Sequence, residues 1–159
     1  MEVNIKQALK MFFSKSSFEM IYFEAFANAL DADATEFNIN ISLSNYGELH
    51  NLVVTLSDNG VGFNDVRFGK FSKLFDVEEQ SHKGLGRLVY LCYFDKVEVE
   101  SVFDNSKQRV FEFNEAFDKE CTITEIEPTL NGSIFKMSGF TGERLGKNDY
   151  INPHYIKKT

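Results

Sequence analysis

From residue 37 to residue 44 the chain alternates without a break. Phe37, Ile39, Ile41 and Leu43 fall on one side, and Asn38, Asn40, Ser42 and Ser44 on the other. Successive side chains of a β-strand point to opposite faces, so this stretch reads as a half-buried strand of a sheet covered on one side. Asn45-Tyr46-Gly47-Glu48 has turn chemistry, and residues 52–56 read as the returning strand of a hairpin. Further strands are expected near residues 96–103, 108–113, 121–127 and 133–138, separated by turns such as Asp104-Asn105 and Asn131-Gly132.

Helical spacing dominates the first part of the chain. Ile5, Leu9 and Phe12 or Phe13 recur at helical intervals over residues 4–13. Ser16 and Glu19 then form a capping box that starts a central helix running to about Asp31. Residues 65–75 are weakly helical, residues 76–83 polar and irregular, and a last helix is expected over 87–94. Helices first and a strand meander last predict an α+β fold, a two-layer α/β sandwich. Its mixed, mostly antiparallel sheet is covered on one face by helices. At 159 residues the length suits one domain, and 17 Phe without a Trp supply the material for a real core.

Within the central helix Glu24, Asn28 and Asp31 stand at i, i+4 and i+7 of an otherwise apolar run. At about 100° per residue they return to one stripe roughly 60° wide. A buried carboxylate must find a partner or lose its charge, so something polar is expected against this stripe. Further on, Asp58-Asn59-Gly60-Val61-Gly62 follows a strand. Its glycines allow close backbone approach by a planar group, from which the Asp58 carboxylate could accept a hydrogen bond. Gly84-Leu85-Gly86 opens a predicted helix, where free N–H groups favour an anion such as phosphate. The 21 residues between these glycine pairs, 63–83, exceed a tight turn and suit a closing lid.

Charge and composition narrow the partners. Seventeen basic against 24 acidic residues give a formal charge of -7, which argues against a surface built mainly for nucleic acid. Cys92 and Cys121 have no metal-like spacing and read as buried reduced thiols, which fits a cytoplasmic protein. No run reaches the roughly 18 apolar residues of a membrane span, and the N-terminus lacks a cleavage signal, so a soluble and unprocessed chain is expected. Gly142-Glu143-Arg144-Leu145-Gly146-Lys147 imitates a P-loop but has one residue too few between its glycines, and reads as a turn. Asp31-Ala32-Asp33 lacks the tight-turn glycine of a calcium loop, since Glu36 stands there.

In order and context these motifs resemble the GHKL superfamily. That is the Bergerat ATP-binding fold of DNA gyrase B subunits, heat-shock chaperones of the Hsp-ninety type, histidine kinases and MutL mismatch-repair proteins. Glu24-x-x-x-Asn28-x-x-Asp31 is similar to its first box, Asp58 to Gly62 to its second and Lys83-Gly84-Leu85-Gly86 to its third. Gly132-Ser133 gives a weaker fourth match, where the family often has Gly-Thr. The resemblance implies ATP and Mg2+ as cofactors, with Asn28 as the metal ligand and Glu24 as the catalytic residue that orients or deprotonates the attacking water. It further implies that Asp58 binds the adenine amino group and that Gly60 and Gly62 admit the base. Lys83, Gly84, Leu85 and Gly86 would wrap the phosphates. Asp31 would line the pocket, and Ser133 would support adenine recognition.

Residues 28–35 resemble most closely the MutL and MORC-like branch, which commonly has Gly where Asp33 stands. The implied activity is Mg-dependent ATP binding with slow hydrolysis, driving lid closure or an ATP-dependent homodimer in a larger protein. In gyrase and MutL types a following domain supplies a lysine to the γ-phosphate. Residues 1–159 are therefore expected to be one ATP-binding domain, either the N-terminal fragment of a longer protein or a stand-alone module, with a downstream domain or partner protein. The alternatives are a non-hydrolysing sensor of ATP or ADP and a histidine-kinase catalytic domain. For the latter, none of His50, His82 and His154 has the required setting on a helical hairpin.

Overall fold

The computed structural model describes residues 17–45, 47–73, 85–114 and 116–141. The predicted helix over 4–13, Ser16 of the predicted capping box, the irregular stretch 76–83 and the turn at 142–147 lie outside the described residues. Within them the elements follow in the order α1 (Met20–Asp31), β1 (Phe37–Ser42), β2 (Val53–Asp58), α2 (Asp65–Lys73), β3 (Phe94–Phe103), β4 (Lys107–Phe113), β5 (Thr122–Glu125) and β6 (Gly132–Phe140). Short 3-10 helices occupy Leu49–Asn51 and Leu85–Cys92, the latter in place of the expected helix over 87–94. Phe94 belongs to β3 instead, because it pairs with Phe140 and is buried there.

The six strands form one sheet in the order β1-β2-β6-β3-β4-β5. The expected α+β sandwich is what forms, and every pairing in this sheet is antiparallel. The hairpin β1-β2 and the meander β3-β4-β5 are local, whereas β6 returns from the end of the described chain to join the two halves. Directly paired residues place their side chains on the same face. Val54, Met137, Val97 and Phe113 therefore make one apolar row, and Leu56, Phe135, Val99 and Phe111 the next. Both rows join Ile21, Tyr22 and Ala25 of α1, Phe71 of α2 and Leu88 to Leu91 in a single core.

The opposite face carries Thr55, Lys136, Glu98 and Glu112, with ion pairs of 3.6 Å from Lys96 to Glu112 and 3.7 Å from Lys136 to Glu98. Such exposed pairs contribute little, about 0–1 kcal/mol each. Their value is to keep this face wet, so the fold is covered on one side only.

α1 buries Ile21, Tyr22, Ala25 and Ala29, with Phe18 just before it and Ala32 just after, at three- and four-residue intervals that match one helical face. Its start differs from the expected capping box. The helix begins at Met20 with Glu19 at the N-cap making no side-chain cap, and the Ser17 hydroxyl donates to the Glu19 carboxylate at 3.2 Å. Its end is a Schellman closure, in which the Asp33 N–H donates to the Leu30 carbonyl and the Ala34 N–H to the Ala29 carbonyl, both at 3.0 Å. Asp33 takes the left-handed position at φ 58°, a conformation glycine adopts freely and Asp tolerates better than most side chains.

Asp33→Gly is expected to leave stability unchanged or slightly raised, and Asp33→Val to lower it by about 1–2 kcal/mol, since a β-branched residue fits the left-handed region poorly. Urea denaturation of the two variants beside the wild type reads the difference, and equal midpoints for both would remove the strain argument.

Candidate functional site

The polar stripe on α1 is present. Glu24 and Asn28 are half-buried, and the Asn28 side-chain amide donates to the Glu24 carboxylate at 3.2 Å. Asp31 lies at the exposed end of the stripe, where its carbonyl accepts a 3.0 Å hydrogen bond from the Arg67 guanidinium of α2. Against the other end comes Gly86. A Cβ there would collide with the Glu24 carboxylate, standing 2.6 Å from its carboxyl carbon. A side chain at position 86 would have to push the Glu24 carboxylate aside. Lys83 and Gly84 lie outside the described residues, and Leu85 begins this helix.

The sequence Asp58 to Gly62 lies where β2 leaves the sheet. Asp58 pairs across to Ser133, Ser133 to Ser101 and Ser101 to Arg109. This row continues the covered face by one more step, but every member is polar where the two rows before it are apolar. Asp58 is half-buried and accepts the Gly60 N–H at 2.8 Å. Burial pushes the Asp58 pKa above the ordinary aspartate value, against the opposing pull of the Gly60 N–H and of the Arg67 charge.

Gly60 packs on Ala32 at the end of α1, where a Cβ would come within 2.6 Å of the Ala32 Cβ and carbonyl oxygen. The Val61 N–H donates to that same carbonyl at 2.9 Å. Gly62, at φ 76°, passes directly over the Val102 carbonyl of β3. Ser133 is 5% exposed, and its hydroxyl lies 2.9 Å from that of Ser101. The first motif is thus brought to the second through Ala32 and Gly60, and to the third through Glu24 and Gly86.

Sequence reasoning missed three side chains. Asn59, read only as part of a glycine turn, accepts the N–H groups of Thr35 and Glu36 at 2.8 and 2.9 Å and donates to the Thr35 hydroxyl at 3.0 Å. It ties the chain entering β1 to the end of β2. Ser101 and Arg109 hold the chain after Gly62. The signal for both was in the alternation, since Arg109 shares the face of Phe111 and Phe113 on β4, and Ser101 that of Val97, Val99 and Phe103 on β3.

A six-stranded antiparallel sheet covered on one face by helices is an α+β sandwich of the Bergerat type. Two solved structures are similar to it. One is the 43K ATPase domain of Thermus thermophilus gyrase B in complex with an aminocoumarin, with a TM-score of 0.60 and 17% identity over 97% of this chain and 42% of that one. The other is the ATPase region of Saccharomyces cerevisiae topoisomerase II bound to ICRF-187 (dexrazoxane), with a TM-score of 0.58 and 15% identity over 88% of this chain and 43% of that one. At such identity the likeness is one of fold, and the chain spans less than half the length of either neighbour. No protein-family model and no curated protein matches the chain.

The raised pKa of Asp58 gives a pH dependence with a definite sign. The folded state holds the Asp58 proton more tightly than the unfolded chain, so this contribution to stability is complete below the ordinary aspartate pKa. It is lost as the pH rises through the elevated folded-state value. The stability of the wild type relative to Asp58→Asn is therefore expected to fall across that window on going from acid to neutral pH, and a difference independent of pH would contradict it. Gly62→Ala is expected to lose about 1–3 kcal/mol from backbone strain, and more from the contact with the Val102 carbonyl, read by the same denaturation curves.

Proposed function

We propose that residues 1–159 are one nucleotide-binding domain that takes Mg-ATP between α1 and the polar end of the sheet and hydrolyses it slowly. The observation that carries this reading is the convergence of the three motifs on α1, with Gly86 against Glu24 and Gly60 against Ala32. An apolar core has no use for such glycine approaches to a carboxylate and a helix end. A flat base and a polyphosphate do.

In this reading the Asp58 carboxylate accepts a hydrogen bond from the exocyclic amine of adenine, Gly60 and Gly62 admit the base, and Ser133 presents its hydroxyl beside them. Lys83, Gly84, Leu85 and Gly86 surround the phosphates, and Asp31 borders the mouth. The residues present fit a magnesium ion held chiefly by phosphate and water oxygens, because that ion needs only one or two protein oxygens and Asn28 carries an amide oxygen beside the Glu24 carboxylate. When bound, the ion supplies charge neutralisation at the phosphates. Glu24 orients the attacking water and accepts its proton, and the hydrogen bond from Asn28 keeps the carboxylate in place.

The finer assignment to the MutL and MORC-like branch is also a proposal. It rests on the sequence pattern of residues 28–35, from which Asp33 departs by standing where that branch commonly has Gly. Nucleotide binding is proposed to drive closure or homodimerisation in a larger protein, with a lysine supplied from a following domain or a partner.

Ligand linkage tests the reading. At 100 times its dissociation constant Mg-ATP adds about 2.7 kcal/mol, or roughly 5–10 °C in Tm for a chain of this size. Asp58→Asn is expected to abolish the shift, whereas Glu24→Ala keeps it and loses phosphate release. Absence of any shift in the wild type with Mg-ATP and Mg-ADP would sink the proposal. Equal phosphate release from wild type and Glu24→Ala would reduce the protein to a nucleotide-sensing interaction module. Gly86→Ala displaces the tip of a flexible side chain rather than backbone, so it is expected to cost less than about 1 kcal/mol while lowering phosphate release at least about tenfold.

A further inference from the structure

On β4 the covered face reads Arg109, Phe111, Phe113, and the arginine is 2% exposed. A third apolar residue would continue the pattern at no electrostatic cost, whereas a buried guanidinium is tolerated only when its hydrogen-bonding capacity is used. Arg109 uses it on one short stretch of chain. Its Nη1 donates to the carbonyls of Phe63 and Asn64, both at 2.9 Å, and its Nη2 pairs with the Asp65 carboxylate. The Phe68 and Phe103 rings lie 4.6 and 5.1 Å from the guanidinium carbon and hold the fork in place. The arrangement is not one of complete satisfaction, since Nε–H has no hydrogen-bond partner among the described residues.

Ser101, directly across on β3, completes the grip. Its hydroxyl oxygen accepts the Phe63 N–H at 2.8 Å and lies 3.1 Å from the Gly132 carbonyl and 2.9 Å from the Ser133 hydroxyl. Both polar groups of Phe63 and the carbonyl of Asn64 are therefore held by two neighbouring strands. Immediately before Phe63 comes Gly62, at φ 76° and against the Val102 carbonyl, and four residues before that comes Asp58. Three consecutive residues of this loop, Gly62 to Asn64, are anchored to the sheet.

We propose that Ser101 and Arg109 are positioning residues for base recognition. They fix the chain leaving Gly62, and so set the distance between the Asp58 carboxylate and the backbone that a purine slides against. This inference rests on the Mg-ATP reading of the site. Neither residue touches the base; they act through Gly62 and Phe63. The Arg109 side chain is 3% exposed and that of Asp65 86%, so the buried guanidinium reaches outward to the loop it holds. A buried cation bonded in this way also contributes to folding, so affinity and stability are measured separately.

Arg109→Met keeps the apolar stem of the side chain, removes the guanidinium and releases the loop. Its ATP dissociation constant, measured by calorimetry well below the Tm, is expected to rise about tenfold. Val97→Ala serves as the control, because it weakens the same sheet in the row farthest from the site and is expected to stay within about twofold of wild type. Amide hydrogen exchange at Phe63 is expected to quicken in Arg109→Met and not in the control. Should Arg109→Met fail to fold, Arg109→Lys carries the same comparison, since it keeps the buried charge and loses the planar fork. Wild-type affinity in the Arg109 variant, or equal loss in the control, overturns the positioning role while leaving the Mg-ATP reading intact. No ATP binding by the wild type overturns both.

Discussion

The row Asp58, Ser133, Ser101 and Arg109 is the constraint on which the rest of the molecule turns. Two apolar rows precede it on the covered face, and a third would have closed the core against α1 and α2. Polar groups at this depth need partners, and apart from the Arg109 Nε–H these have them within the chain. The Ser101 and Ser133 hydroxyls meet each other, Arg109 takes the backbone after Gly62, and Asp58 turns back to the Gly60 N–H. Asp58 keeps accessible surface, and burial raises its pKa above the ordinary aspartate value.

The second constraint is closeness. Gly60, Gly62 and Gly86 each stand where a Cβ would strike a neighbouring element, and they bring β2 to α1, the same turn to β3, and the segment at Leu85 to Glu24. These approaches bring together elements far apart in sequence. The Schellman end of α1 does the same by local means, since Asp33 reverses the chain so that Thr35 and Glu36 reach Asn59.

Much of this was legible beforehand. The alternation from residue 37 placed a half-buried strand, the helical spacing placed the helix through Glu24 and Asn28, and together with the strand meander they gave an α+β sandwich covered on one face. The local geometry of α1 was less legible. A capping box was expected from Ser16 and Glu19, whereas Glu19 itself stands at the N-cap and Ser17 bonds to it, because hydroxyls and carboxylates so close together have several partners of similar energy. The segment after Gly84 was expected to be α-helical and is a 3-10 helix at Leu85–Cys92, and the strand that follows claims Phe94 through its pairing with Phe140.

The sequence by itself determined what is local: which face of each strand is apolar, where the polar stripe of α1 falls, and which turns need glycine. Periodicity and side-chain chemistry act over a few residues, and they can be read without a fold. Only the tertiary structure decided that β6 lies between β2 and β3, since strand order depends on long-range pairing and leaves no mark in any one strand. That placement sets Ser133 beside Asp58 and Ser101 beside Ser133. It also turns Arg109, a lone interruption in the pattern of β4, into the partner of a loop 44 to 46 residues away in the chain.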